Sequence, residues 1–136
     1  MKKYKFLLVA SNFYPKITLN LLEGAQKFIE KKGHRFDTTY TKGSLEIPTK
    51  ISMKLDKHKY DAVVAIGCII KGKTDHYEFI ANAITKSLLE LSIQKKLPIS
   101  NSILTCKNIK QAKERSSNRI NRAKEAVEAA IEVLKD

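Results

Sequence analysis

Two periods alternate along this chain. Lys5–Ala10 (KFLLVA) is a continuous apolar run of strand length, and so is most of Ala62–Ile70 (AVVAIGCII). Runs of this kind predict strands buried on both faces. Arg35–Tyr40 alternates weakly and predicts a second strand; Pro98–Leu104 predicts the fourth. Between them the period lengthens. Leu21, Leu22, Ala25, Phe28 and Ile29 lie at helical spacing behind Thr18, a residue suited to capping, and Gly33 ends the pattern. Pro48 suits the first turn of a short helix running to about Lys57. Asp75–Lys95 predicts a long helix with Phe79, Ile80, Ala83, Ile84, Leu88 and Leu91 on one face. Thr105–Asp136 reads as helical with a break near Ser116–Asn121.

Strand–helix repeated four times predicts an α/β fold. A four-stranded parallel sheet with helices on both faces forms a three-layer α/β/α sandwich, in a single domain over residues 1–136. In such sheets ligands bind where the carboxyl ends of the strands meet the loops. The loops Ser11–Lys16, Thr41–Glu46, Lys71–His76 and Thr105–Asn108 are therefore expected along one edge.

Composition narrows the partners. With 43% hydrophobic residues the chain is globular, and no apolar run approaches the ~20 residues of a membrane helix. The basic start and short apolar segment lack a small-residue cleavage site and read as a strand, so the cytoplasm is the expected location. Twenty-six Lys+Arg against 14 Asp+Glu give a net charge of +12. The lysines are scattered and no aromatic-plus-basic RNA motif is visible. The charge thus predicts attraction to a phosphorylated small molecule rather than nucleic acid. Cys68 and Cys106 make neither a disulfide framework nor a zinc signature. Cys68 reads as a buried thiol and Cys106 as a loop residue. His34 and His58 read as loop residues without partners.

The densest chemistry lies in GCIIKGKTDHYEFI (Gly67–Ile80). A buried strand ends in a turn rich in donors, Lys71, Gly72, Lys73 and Thr74, and His76 follows at a helix start. Such a turn gathers N–H groups where an anion can bind. The positive end of a helix dipole favours neutral imidazole, suited to proton transfer on a phosphorylated substrate. Taken alone, His76 reads better as a surface residue capping the helix.

Its company decides the matter. NFYPKIT (Asn12–Thr18), GSLEIP (Gly43–Pro48), Gly67–Ile80 and LPISNSILTCKNIKQAKER (Leu97–Arg115) resemble, in order and with similar spacing, the 6,7-dimethyl-8-ribityllumazine synthase family of riboflavin biosynthesis. The resemblance runs from about Lys5 to the C-terminus and implies a flavodoxin-like fold. It implies a transferase that condenses 5-amino-6-ribitylaminouracil with 3,4-dihydroxy-2-butanone 4-phosphate. An imine forms, phosphate is eliminated, the ring closes, and 6,7-dimethyl-8-ribityllumazine, phosphate and water result. No metal or organic cofactor is implied.

The resemblance also implies roles. Phe13 stacks on the pyrimidine. Ser44, Leu45 and Glu46 meet the ribityl chain, with Glu46 accepting hydroxyl hydrogen bonds. The backbone at Ile69 and Ile70 faces the pyrimidine. Lys73, Thr74 and Arg115 bind phosphate, His76 transfers protons, and Arg122 falls near a family lysine. Asn101 occupies the place where a neighbouring subunit supplies a wall of the pyrimidine site. Leu45 stands for a common phenylalanine, Lys42 for a proline, and Asn101 for an apolar residue. Family members are at least pentamers, and some form shells of pentamers. The high positive charge argues here for the bare ring at low ionic strength. The stripe Ala126, Val127, Ala130, Ile131 and Leu134 is the apolar surface expected to need cover. The rival to an enzyme is a flavodoxin-like module that holds a flavin or phosphorylated ligand without turnover.

Overall fold

The computed structural model describes residues 2–72 and 76–135. The strands are β1 (Lys5–Ser11), β2 (Arg35–Thr41), β3 (Ala62–Ile70) and β4 (Ile99–Cys106). The helices are α1 (Pro15–Lys31), α2 (Ile47–Lys57), α3 (His76–Lys95), α4 (Ile109–Arg115) and α5 (Arg122–Leu134), with a 3₁₀ turn at Ser44–Glu46. All four strands are parallel, in the order β2-β1-β3-β4. Val9 pairs with Thr39 on one side and Ala65 on the other. The two apolar runs are thus the two central strands. The polar alternation of β2 suits an edge.

Side-chain alternation splits the core in two. Phe6, Leu8, Ala10, Val64, Ile66 and Cys68 face α1 and α5, where Leu21, Ala25, Ile29, Val127 and Ala130 are buried. Leu7, Val9, Val63, Ala65, Ile99 and Ile103 face Ile47 and Ile51 of α2 and Ile84 and Leu88 of α3. The three-layer sandwich is the one expected from the sequence. No helix among the described residues is long and apolar enough to cross a membrane.

Several expectations change. Thr18 does not cap α1: the helix begins a turn earlier at Pro15, whose fixed φ suits a first turn. The Thr18 Oγ1 is instead buried with no hydrogen-bond partner among the described residues. β4 runs past Leu104, so Cys106 is a fully buried strand residue rather than a loop one. His34 has partners: its Nδ1 accepts the Tyr4 N–H at 3.0 Å, and its ring packs on Tyr4. His58 stacks edge-on against Tyr60. The α5 stripe needs no outside cover, because Ala126, Val127 and Ala130 are buried in the core and Ile131 and Leu134 pack against it. On α3, Ile80, Ile84, Leu88 and Leu91 face inward, whereas Phe79 is 73% exposed and Ala83 is exposed. The helix has a second apolar side, with Leu89 and Ile93 also exposed.

Candidate active site

Parallel pairing brings the loops after all four strands to one edge. Ser11 ends β1 and is fully buried. Two residues on, the Phe13 ring is 68% exposed, and it is braced edge-to-face by Tyr14, which packs against the core. Asn12 N–H donates to the Thr41 carbonyl at 2.9 Å, tying the first loop to the end of β2. Beyond β2 the Thr41 hydroxyl donates to the Gly43 carbonyl at 2.7 Å. Gly43 N–H donates to Glu46 Oε1 at 3.0 Å, which fixes that carboxylate at the surface. Leu45 is exposed beside it and Ser44 is turned inward. The 3₁₀ turn touches both β3 and α3.

Gly67 near the end of β3 is closely approached by two side chains. A Cβ there would lie 2.7 Å from the Ser44 hydroxyl and 2.8 Å from the Ser11 hydroxyl. Ile69 and Ile70 follow, half-buried, and Lys71 N–H donates to the Cys106 carbonyl at 2.8 Å. His76 is exposed at the first position of α3. Lys73 and Thr74 lie outside the described residues.

Arg115 ends α4. Its Nη1 donates to the Thr105 carbonyl at 3.3 Å and approaches Cys106 Sγ at 3.7 Å, which sets the guanidinium at the carboxyl end of β4. α4 is held by reciprocal capping: Asn108 accepts from Gln111 N–H and Gln111 accepts from Lys107 N–H, each at 2.9 Å. Arg122 opens α5 and is paired with the Glu125 carboxylate at 3.0 Å. A shallow groove of about 270 Å³ along the outer side of β4 is lined by Asn101, Thr105, Arg115 and Arg122, among others. Asn101 is exposed there. Its Oδ1 accepts the Ile103 N–H at 2.9 Å, and its amide reaches Thr85.

The candidates therefore fall into two groups. Phe13, Ser44, Leu45, Glu46, Ile69, Ile70 and His76 gather at the carboxyl edge. Asn101 and Arg122 open instead onto the outer flank of β4, and Arg115 stands where the two meet. Ser11, expected as the start of the first loop, is instead the last residue of β1, and the pattern gave no sign that its hydroxyl lies 3.2 Å from that of Ser44. Cys68 is a buried thiol, pushed up to about 12 chiefly by burial and then by the neighbouring Cys106.

Larger recesses, of about 450 and 430 Å³, lie at the other end of the sheet, around Tyr4, Phe28 and His34 and around Lys5, Arg35 and Tyr60. Volume alone thus points away from the strand-end loops. Ligand sites of parallel sheets form at carboxyl ends, and here one flank of that edge ends at the open side of β4.

Comparison with known proteins agrees in one direction. Residues 3–136 match the family described as 6,7-dimethyl-8-ribityllumazine synthase. A protein of that name from Bartonella tribocorum is 41% identical over 132 residues, covering 96% of this chain and 87% of its own. One from Methylobacterium radiotolerans is 39% identical over 131 residues, covering 96% and 80%. One from Buchnera aphidicola is 41% identical over 132 residues, covering 93% and 82%.

Proposed function

The chain belongs to the 6,7-dimethyl-8-ribityllumazine synthase family, and on that premise we propose the following account of its chemistry. It is a transferase of riboflavin biosynthesis that joins 5-amino-6-ribitylaminouracil to 3,4-dihydroxy-2-butanone 4-phosphate. Residues 1–136 act as one domain, in the cytoplasm. The observation that carries this reading is the meeting, at one sheet edge, of an exposed aromatic, a fixed carboxylate, an exposed histidine and an arginine.

Each has work in the reaction. The pyrimidine ring stacks on Phe13, whose solvent-facing ring Tyr14 holds still. Its ribityl hydroxyls donate to Glu46, whose Oε1 is already oriented by Gly43 N–H, and Ser44 and Leu45 shape the same wall. The backbone at Ile69 and Ile70 lines the ring's polar edge. Arg115 meets the phosphate in a charge-assisted, bidentate contact, with Lys73 and Thr74 on the phosphate turn. Arg122 stands behind it. His76 moves protons as the imine forms and phosphate leaves. Holding two substrates in register supplies much of the rate, since effective molarities reach ~10⁸ M in favourable intramolecular cases.

The site is shared between subunits of a ring of five. The groove lined by Asn101, Arg115 and Arg122 contains none of the Phe13, Ser44–Glu46 group, and in this reading it serves as a wall for a neighbour's pyrimidine pocket. The second apolar side of α3, with Phe79, Leu89 and Ile93 exposed, supplies a surface for such contacts. Mixing both substrates with the folded protein and following lumazine absorbance tests the activity. Absence of product at high substrate concentration favours a binding module instead. Light scattering across a salt series is expected to show five chains of 15.4 kDa each. A monomer at working concentration overturns the shared site, and a megadalton particle replaces the ring with a shell.

A further inference from the structure

We propose that Ser11 is a positioning residue for the pyrimidine half of the site. The proposal rests on the reading that Phe13 and Ser44–Glu46 hold that substrate. The Ser11 hydroxyl lies 3.2 Å from the Ser44 hydroxyl, a buried hydrogen bond between residues 33 apart in sequence. Neither hydroxyl has another hydrogen-bond partner among the described residues. The bond crosses directly over Gly67, where any side chain would collide with both oxygens.

Two substrate-facing segments are fastened at this point, and a third, β3, passes closely beneath it. β1 leads from Ser11 to Phe13 two residues later. The 3₁₀ turn leads from Ser44 to Leu45 and Glu46. β3 leads from Gly67 to Ile69. The Asn12 and Gly43 backbone bonds steady individual loops. Only the two serines join the β1 loop to the 3₁₀ turn through side chains among the described residues. Removing the Ser11 hydroxyl leaves a buried oxygen on Ser44 without a partner, which is costly. The turn then shifts to hydrate it and carries the Glu46 carboxylate off line. Positioned reactions are sensitive to displacements of about 1 Å.

Ser11→Ala, Ser44→Ala and the double variant are compared for kcat, both KM values and thermal midpoint. Ser11→Ala is expected to raise the pyrimidine KM about threefold to tenfold, the range of one net hydrogen bond. The KM of the phosphorylated substrate stays unchanged. In the Ser44→Ala background, Ser11→Ala has no further effect on the pyrimidine KM. A lowered midpoint with both KM values unchanged makes Ser11 a packing residue and overturns the proposal, as does strict additivity. If Ser11→Ala folds poorly, Ser11→Cys, with its weaker hydrogen bond, is read for the same split. Glu46→Gln runs alongside. If it raises the pyrimidine KM and Ser11→Ala does not, only the role of Ser11 fails. If neither raises it, the pyrimidine assignment fails and takes the proposal with it.

Discussion

The two ends of the sheet are built from similar residue types and put them to opposite uses. At the amino ends, polar groups satisfy one another. Lys5 pairs with Asp37 at 3.4 Å, the Tyr60 hydroxyl donates to the same carboxylate at 2.7 Å, and Asp61 accepts the Lys5 N–H at 2.8 Å. The Tyr60 hydrogen bond, ahead of Lys5, holds the Asp37 carboxyl below its ordinary range. Burial first, then Asp37, raises the Tyr60 phenol to about 12. At the carboxyl ends, an aromatic ring, a leucine, a carboxylate and an imidazole stand at the surface. Closed networks spend their polar groups on the fold, while open ones leave them available to a ligand. The difference teaches where to look for chemistry even when the deeper recesses lie elsewhere.

The comparison breaks first at His76. His76→Ala is expected to slow turnover about 10²-fold, the low end for general acid–base catalysis, with the thermal midpoint unchanged. A wild-type rate would make this histidine an ordinary surface residue. A second cut divides the open end itself. Arg115→Ala should raise the KM of the phosphorylated substrate at least about tenfold, as for a lost hydrogen bond to a charged group, and leave the pyrimidine KM in place. Steady-state kinetics with each substrate varied in turn gives the answer, and a reversed pattern refutes the phosphate assignment.

The closed end should respond in stability alone. Asp61→Ala unpairs the Lys5 N–H and is expected to cost about 1 kcal/mol in denaturant unfolding with kcat and both KM values untouched. Altered kinetics would show the two ends to be coupled. The smallest effect concerns pH. Burial, ahead of the opposing Asp61 and the Lys3 charge, lowers His34 below its usual 6.5. The unfolded chain therefore takes up the proton first on acidification. The stability His34 contributes is complete above pH 6.5 and is lost as pH falls through the lowered value. Protonation also removes the acceptor for Tyr4 N–H. Unfolding midpoints measured from pH 7.5 to 5 should decline in the native sequence, and the decline should vanish in His34→Leu.

Much of this was legible before any coordinates. The apolar runs of β1 and β3 and the helical spacing of Leu21, Ala25 and Ile29 are local patterns, and local patterns set element type. Four strand–helix units then place the loops on one edge, because parallel strands all point the same way. His76 was named from its place at a helix start after a donor-rich turn, and Phe13 and Glu46 from the family resemblance. The start of α1 was misread because a proline overrode a threonine one turn later. The α5 stripe was misread as surface in need of cover because a stripe does not declare which neighbour it meets, and here the neighbour is the chain's own core.

From the chain alone came the α/β class, the order of the elements, the edge expected to hold the site and the family it resembles, all carried by short-range periodicity and short motifs. Only the tertiary structure decided that β1 and β3 are central and β2 and β4 are edges. It alone buried the α5 stripe, left the second side of α3 in solvent, turned Asn101 and Arg122 outward along β4, and joined Ser11 to Ser44 over Gly67. Each of these depends on which distant segments pack together, and a contact between residues 33 apart leaves no trace in the periodicity of either segment.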